Sequence, residues 1–157
     1  MAVDNALIHV LVIDDSLVIR AMLAGILEKD RRLKVVGVAA SADEANSILE
    51  TRHVDVVTLD IDMPGTDGLT YLQTLHAQHV PAVMLSGSTA EGSETRVGAL
   101  LLGAAACFNK ADAVKNAAAL IQLIKAAALH RVKLSRTDAA ALLKAKQDLP
   151  RGAATAG

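Results

Sequence analysis

Fourteen residues near the middle of the chain organise its predicted fold: Val56-Val57-Thr58-Leu59-Asp60-Ile61-Asp62-Met63-Pro64-Gly65-Thr66-Asp67-Gly68-Leu69. The β-branched, apolar run at the start predicts a strand buried on both faces, which is typical of a central strand in a parallel sheet. The pairs Pro64-Gly65 and Asp67-Gly68 then predict a loop before the next helix. Asp60 therefore sits at the carboxyl end of a central strand, where open α/β sheets place their active groups.

Strand-like and helical patterns alternate on both sides of this stretch. The predicted strands are Ile8–Ile13, Leu33–Ala39, Asp55–Asp60, Val80–Ser86 and Ala104–Asn109. Helical spacing or capping residues predict helices after residue 16, from Ser41 to about Arg52, over Asp67–Ala77, over about Glu91–Leu102, and from a cap at Asp112 onward with Val114, Ala117, Leu120 and Ile124 on one face. This alternation predicts one doubly wound α/β domain with a flavodoxin-like, five-stranded parallel sheet of order 2-1-3-4-5.

Composition narrows the classes of partner. The net charge is −1, and the two aromatic residues are Tyr71 and Phe108, which argues against a nucleic-acid-binding module. Asp14-Asp15 interrupts the first apolar run, and the longest uncharged apolar stretch, Val97–Phe108, is shorter than the ~20 residues of a membrane helix. A single cysteine fits a reducing compartment. The sequence predicts a cytoplasmic protein that binds neither nucleic acid nor membrane.

The composition changes after Leu129. The next four residues, His130-Arg131-Val132-Lys133, form a basic segment, and Ser135 begins a segment with the pattern of a short helix that runs to about Lys146. Small residues follow Pro150, as in a frayed chain end. We therefore divide the chain into a domain over residues 1–129 and a C-terminal extension over residues 130–157, made of a short helix and a flexible tail.

Polar side chains stand at the carboxyl ends of four predicted strands. Strands one and three are neighbours in the predicted sheet, so Asp14 and Asp15 come against Asp60. Three crowded carboxylates repel unless one is protonated or a cation joins them, and oxygen-only, partly hydrated coordination suits Mg²⁺. Strand four ends in the hydroxyl of Ser86, and the ammonium of Lys110 follows strand five. A carboxylate nucleophile, a metal, a hydroxyl and an ammonium are what phosphoryl transfer requires.

Across roughly residues 7–128, the chain resembles the receiver domain of two-component response regulators, above all that of chemotaxis protein-glutamate methylesterases. The resemblance rests on the segments VLVIDDSLVIR, VVGVAASADEA, DVVTLDIDMPGTDGLTYL, PAVMLSGSTAEGSE and LLGAAACFNK. It implies the receiver form of the flavodoxin-like fold. It also implies an interaction module controlled by phosphorylation, which is no enzyme apart from self-catalysed phosphotransfer and autodephosphorylation.

The resemblance implies roles for individual residues. Asp60 would be the phosphoacceptor, and Asp14 and Asp15 would hold Mg²⁺ with it, the main-chain carbonyl of Asp62 completing the protein ligands. Ser86 would be the switch hydroxyl and Lys110 the partner of the phosphorylated aspartate. The implied partners are a histidine kinase of the chemotaxis type and an unknown downstream protein, and the expected state is a monomer or weak homodimer.

Two departures from the family pattern concern the end of strand five. The family usually has proline directly after the lysine, with a cis peptide bond, whereas this chain has Ala111, so we expect the next loop to follow a different path. Cys107 replaces the family's switch aromatic, and Phe108 is predicted to face the opposite side of the strand. We therefore expect phosphorylation to reshape the loops at residues 62–68 and 86–92 without a side-chain rotation at position 107.

Parts of the sequence also resemble proteins with other functions. Asp60-Ile61-Asp62 also resembles the motif of haloacid-dehalogenase-type aspartyl phosphatases, but in those enzymes the motif ends the first strand rather than the third. We expect a stand-alone receiver, since no hydrolase-sized region with Ser, His and Asp remains. A receiver fragment of a longer methylesterase is the alternative. The histidines show no ligand-like grouping in the sequence, which gives no support for metal binding through His9, His53, His76, His79 or His130.

Overall fold

The computed structural model describes residues 7–62, 68–87 and 103–137, the last eight by their backbone alone. Its strands are β1 (Ile8–Ile13), β2 (Leu33–Ala39), β3 (Val56–Asp60), β4 (Ala82–Ser86) and β5 (Ala106–Asn109). Its helices are α1 (Leu17–Leu27), α2 (Ala42–Thr51), α3 (Gly68–Ala77), α4 (Asp112–Lys115) and α5 (Ala117–Thr137). The strand predictions agree with these bounds to within two residues at each end.

The five strands form one parallel sheet in the order β2-β1-β3-β4-β5, which confirms the predicted fold class and strand order. Within this sheet, Ile13 of β1 pairs with Leu59 of β3, and Asp60 pairs with Leu85 of β4. The carboxyl ends of β1, β3, β4 and β5 therefore lie along one edge, which we call the carboxyl edge of the sheet. The residues predicted to carry the chemistry lie on this edge.

Side chains alternate between two buried layers, because successive residues of a strand point to opposite faces. On one face, the central strands pack against α2 and α3, through Leu11, Ile13, Val57, Leu59, Met84, Ala45, Tyr71, Leu72 and Leu75. On the other face, they pack against α1 and α5, through Val10, Val12, Val56, Val83, Leu85, Leu23, Leu27, Leu120 and Ile124. All five residues of β3 are buried, as its apolar run predicted.

Side-chain caps fix where the first two helices begin. Ser16 Oγ accepts a hydrogen bond from the Ile19 N–H at 3.3 Å and starts α1 directly after the carboxyl edge. Ser41 Oγ accepts from the Glu44 N–H at 3.2 Å, and the Glu44 carboxylate accepts in return from the Ala40 N–H at 3.0 Å. These reciprocal bonds satisfy N–H groups that have no partner inside a helix, so both predicted helix starts are found.

The segment after β5 differs from the prediction of one long helix capped by Asp112. Ala111 occupies the cap position without a side-chain bond, and α4 ends after a single turn because the backbone of Asn116 leaves the helical region at φ −133° and ψ 51°. Val114 is 64% exposed, so it does not share the buried face of Leu120 and Ile124. The interruption at Asn116 turns α4 out of register with α5.

Helix α5 continues past residue 130 to Thr137, so Ser135 lies inside a helix rather than at the start of one. The predicted helix over about 91–102 and the chain beyond residue 137 lie outside the described residues. The division into residues 1–129 and 130–157 stays a prediction. Over the parts of the chain that the structure describes, no helix combines the length and hydropathy needed to cross a membrane.

Candidate functional site

Asp14 is held rigidly where β1 ends. Its side chain is 0% exposed, and its Oδ1 accepts a hydrogen bond from the Ser16 N–H at 2.9 Å. The Arg20 guanidinium, one turn into α1, donates to the Asp14 carbonyl oxygen at 2.7 Å. Sequence reasoning did not identify Arg20. The available signal was its position four residues after the Ser16 cap, because helical side chains point back toward the N-terminus.

Asp60 is the last residue of β3 and is 1% exposed. Its Oδ1 accepts a hydrogen bond from the Asp62 N–H at 3.0 Å. The Asp62 side chain is exposed, and Asp62 contacts the site through this backbone N–H. Binding of a metal by the Asp62 carbonyl stays a prediction.

Lys110 connects the two buried carboxylates. Its Nζ lies 2.9 Å from Asp14 Oδ2 and 3.0 Å from Asp60 Oδ1, and its side chain is 19% exposed. Asp14 Oδ2 nevertheless has no hydrogen-bond partner among the described residues, because the close ammonium is not aligned for one. We treat this contact as an ion pair, since Coulomb attraction depends on the separation and only weakly on alignment.

The β4–β5 ladder brings the predicted hydroxyl and ammonium residues to the carboxyl edge together. Ser86 is the last residue of β4, and its carbonyl oxygen accepts a hydrogen bond from the Lys110 N–H at 2.8 Å. Just beyond the ladder, Asn109 Oδ1 accepts a hydrogen bond from the Ala111 N–H at 2.8 Å. No cis peptide bond occurs among the described residues. The Asn109 bond depends on Ala111, because a proline there has no N–H to donate.

The side chains of β5 face as predicted. Cys107 packs against the α2–α3 layer and Phe108 against the α1–α5 layer. Phe108 therefore does not occupy the side of the strand where the resemblance puts the switch aromatic. The prediction of phosphorylation without rotation at position 107 stays open, since most of both loops it names lies outside the described residues.

Burial and charge perturb both members of the central ion pair. Burial raises the pKa of Asp60, against the opposing effects of the Asp62 N–H and the Lys110 ammonium. Burial works to lower the pKa of Lys110, but Asp14 and Asp60 outweigh it and hold that pKa above its usual value. Lys110 is therefore protonated at neutral pH, and Asp60 is a more basic carboxylate than a solvated aspartate.

The three carboxylates at this edge fit a hard divalent cation. Oxygens of Asp14, Asp15 and Asp60 all lie within 4.8 Å of one another, and Asp15 is exposed on the solvent side. Asp14 Oδ2 is a buried oxygen whose ion pair with Lys110 is not aligned as a hydrogen bond, so it still has a lone pair to offer a metal cation. An oxygen-only donor set with one open side is the kind that Mg²⁺ uses. The residues present therefore fit a magnesium site.

We expect Asp60→Asn to raise the melting temperature of the metal-free protein by a few degrees. Because folding raises the pKa of Asp60, the folded protein binds a proton there more tightly than the unfolded chain, so stability at this site rises as pH falls through the raised pKa. The amide removes that dependence and the repulsion from Asp14. Thermal unfolding in EDTA from mildly acidic to neutral pH measures both effects. An unchanged or lower melting temperature at neutral pH contradicts this account.

A second polar cluster, which we call the His9–His53–Asp55 cluster, lies at the opposite end of the same strands. His53 Nε2 is 2.6 Å from Asp55 Oδ1, and His9 Nδ1 is 3.4 Å from Asp55 Oδ2. The expectation that the histidines form no ligand-like group was therefore wrong. His9 and His53 are 44 positions apart in the sequence, and only the β1–β3 pairing brings them together.

Comparisons of this sequence with known proteins agree on one family. The sequence profile described as "Response regulator receiver domain" matches residues 10–125. A protein-glutamate methylesterase/protein-glutamine glutaminase of Hahella chejuensis is 42% identical, over 79% of this chain and 36% of that protein. One from Burkholderia thailandensis is 37% identical, over 96% of this chain and 46% of the relative. The chain thus spans less than half the length of these relatives.

Solved structures give the same picture. The response regulator domain of Thermotoga maritima CheB has a TM-score of 0.70 and 32% identity, over 78% of this chain and 96% of that domain. A structure described as the P1 domain of CheA3 in complex with CheY6 from R. sphaeroides matches with a TM-score of 0.63 and 27% identity, over 76% of this chain and 98% of the matched chain.

Proposed function

The chain belongs to the response regulator receiver domain family, and on that premise we propose that it accepts a phosphoryl group on Asp60 from a histidine kinase. Phosphorylation then controls its binding to a downstream protein, in a chemotaxis-like signalling system. Support comes from the relatives, which are chemotaxis-type methylesterases matched over their receiver portion. We further propose that the chain acts as a receiver in the cytoplasm.

One observation carries this proposal: the Lys110 ammonium lies between two buried carboxylates, 2.9 Å from Asp14 and 3.0 Å from Asp60. Buried carboxylates are costly unless they are paired, and a cluster that serves only stability is better replaced by apolar residues. A carboxylate cluster with a fixed ammonium is instead suited to a ligand that brings negative charge of its own, and a phosphoryl group is such a ligand.

The proposed step is transfer between two nucleophiles. An Asp60 oxygen attacks phosphorus, the new P–O bond forms while the P–N bond to the kinase histidine breaks, and the departing imidazole nitrogen takes up a proton. Asp60 suits this role because its raised pKa makes it a more basic nucleophile. Lys110 and the Ser86 hydroxyl are the proposed donors to the phosphoryl oxygens, and Lys110 is already in contact with Asp60.

We propose that Asp14, Asp15 and Asp60 hold Mg²⁺, with the Asp62 carbonyl as a fourth protein ligand. A bound Mg²⁺ neutralises charge on the phosphoryl oxygens and lowers repulsion between the phosphodonor and this acidic edge. The turn that carries the first two ligands is already fixed, because Ser16 and Arg20 bond to Asp14.

The proposed phosphodonor is a chemotaxis-type kinase. The structure of CheY6 with the P1 domain of CheA3 supports this choice, since CheY6 has the same fold and is 27% identical to this chain. Under this proposal the chain catalyses its own phosphorylation and dephosphorylation and no other reaction. The whole-length relatives are named as methylesterases, so the alternative is that this receiver regulates a methylesterase of which it is a part.

The test is phosphorylation with acetyl phosphate and Mg²⁺, followed by intact-mass measurement. We expect one phosphoryl group per chain, complete loss of this label in Asp60→Asn, and a sharply higher Mg²⁺ requirement in Asp15→Asn. Asp43→Asn, an exposed aspartate on α2, is the matched control and should label normally. Equal labelling of Asp60→Asn overturns the assignment. Steady release of phosphate from a phosphomonoester indicates the phosphatase instead.

A further inference from the structure

The His9–His53–Asp55 cluster is built from two neighbouring strands and the loop between α2 and β3. His9 is the second residue of β1, while His53 and Asp55 precede β3. The backbone holds the carboxylate in place, because Asp55 Oδ2 accepts a hydrogen bond from the His9 N–H at 2.8 Å, and the Asp55 N–H donates to the His9 carbonyl at 2.8 Å. Asp55 is thus fixed to β1 independently of any ligand.

The three side chains present a mixed nitrogen and oxygen donor set. A ring nitrogen of each histidine and a carboxylate oxygen of Asp55 all lie within 4.8 Å of one another. The two imidazole rings stand nearly perpendicular, at 85° with centroids 5.4 Å apart, so they are arranged around Asp55 rather than stacked on each other. Two imidazoles and one carboxylate are a donor set for Zn²⁺ and its neighbours, and not for Mg²⁺ or Ca²⁺.

The buried nitrogen of His9 points to a missing ligand. His9 Nδ1 is inaccessible to solvent and has no hydrogen-bond partner among the described residues, although Asp55 Oδ2 is only 3.4 Å away. A separation of roughly 3.3 Å is the edge of a tetrahedron whose ligands lie about 2 Å from a zinc ion. His9 Nδ1 and Asp55 Oδ2 are therefore already spaced as two ligands of one such cation.

The third proposed ligand, His53, can change its position. His53 Nε2 lies 2.6 Å from Asp55 Oδ1, closer than two ligands of one cation, and is hydrogen-bonded to it. The His53 side chain is 64% exposed, so it can turn by the small amount required. A cation that binds here replaces this hydrogen bond, because a coordinating imidazole nitrogen must be unprotonated.

We propose that His9, His53 and Asp55 form a Zn²⁺ site with water in the fourth position. The site is separate from the carboxyl edge, because the five residue steps along the strand from His9 to Asp14 span about 16 Å. It differs from the carboxylate cluster at the carboxyl edge in its donor atoms as well as in its position. The bound cation would tie the beginnings of β1 and β3 together, and so stabilise the folded protein in proportion to its occupancy.

The experiment is titration of the full chain with Zn²⁺, followed by dialysis and metal analysis. Excess Mg²⁺ is present throughout, so that it occupies the site at the carboxyl edge. Co²⁺ serves as a second, spectroscopic probe. The variants are His53→Gln and His9→Gln. The controls are His79→Asn, which replaces an exposed histidine whose φ of 61° asparagine tolerates, and Asp15→Asn, which alters only the acidic edge.

We expect one Zn²⁺ per chain, the visible bands of tetrahedral Co²⁺, and a rise in melting temperature with Zn²⁺. His53→Gln should weaken binding at least ~100-fold, because loss of a ligand exceeds the loss of an outer-shell partner, while both controls bind as the parent does. Because His53 is exposed, His53→Gln decides the outcome even if His9→Gln fails to fold. Undiminished binding in His53→Gln, binding lost in either control, or no binding by the parent chain overturns the proposal.

Discussion

Gly68→Ala is expected to lose at least about 3 kcal/mol of unfolding free energy, and to lose phosphorylation of Asp60 with it. Gly68 is the first residue of α3, and its backbone lies directly on the backbone after β3. A Cβ at this position would overlap the Asp60 carbonyl oxygen and lie 2.7 Å from the Ile61 Cα. Both atoms belong to the main chain, so no side-chain rotation relieves the overlap.

The contact also couples the helix to the site. The Gly68 N–H donates to the Ile61 carbonyl oxygen at 3.1 Å, which holds the start of α3 against the end of β3. Relief of the overlap requires α3 to move away or the Asp60–Ile61 peptide to shift. The first loses core packing by Leu72 and Leu75, and the second moves the carboxylate away from Lys110.

Urea unfolding and acetyl phosphate labelling measure the two effects of Gly68→Ala. Gly25→Ala is the matched control, since Gly25 is an exposed position inside α1 with no atom within 4 Å of an added Cβ. There alanine should stabilise by up to about 1 kcal/mol, through its higher helix propensity. If Gly68→Ala unfolds within about 0.5 kcal/mol of the parent and labels normally, the close approach of Gly68 to Asp60 is wrong.

Most of the fold was predictable, because the spacing of apolar residues and the turn and capping residues indicate the same element boundaries along this chain. The strands are short apolar runs that end in a charge or hydroxyl, such as Asp14, Asp60 and Ser86, and the caps at Ser16 and Ser41 are local in sequence. The interruption at Asn116 was missed, because a single asparagine inside an apolar helical pattern lowers helix propensity without by itself marking a helix end.

The residues at the carboxyl edge of the sheet were predictable, because the last residues of parallel strands all lie at the same edge. Asp14, Asp60 and Lys110 meet as that rule requires. No comparable rule covers the loops that enter the opposite edge, so the approach of His53 to His9 depends on the path between α2 and β3. The orientation of the Arg20 side chain toward Asp14 likewise depends on packing that periodicity does not encode.

The pairing at the carboxyl edge makes the metal-free fold depend on the Lys110 ammonium. Its pKa is raised on folding, so its stabilising contribution is fully present below its ordinary pKa of 10.5 and is lost only above it. At neutral pH the whole contribution is therefore in place. Without this ammonium, Asp14 and Asp60 are two buried carboxylates that face each other with no cation.

We therefore expect Lys110→Met to lose about 3 kcal/mol of unfolding free energy in EDTA at neutral pH, since removal of one partner leaves buried charge uncompensated. Saturating Mg²⁺ should restore much of the loss by binding the folded state, and Asp60→Asn in the same chain should restore part of it without metal. Lys115→Met, an exposed lysine on α4, is the control and should change stability little. Urea unfolding of the four proteins of the Lys110–Asp60 cycle, with and without Mg²⁺, gives the coupling free energy. If the two substitutions are additive in EDTA, Lys110 does not neutralise Asp60, and the ion pair is not what stabilises this edge of the sheet.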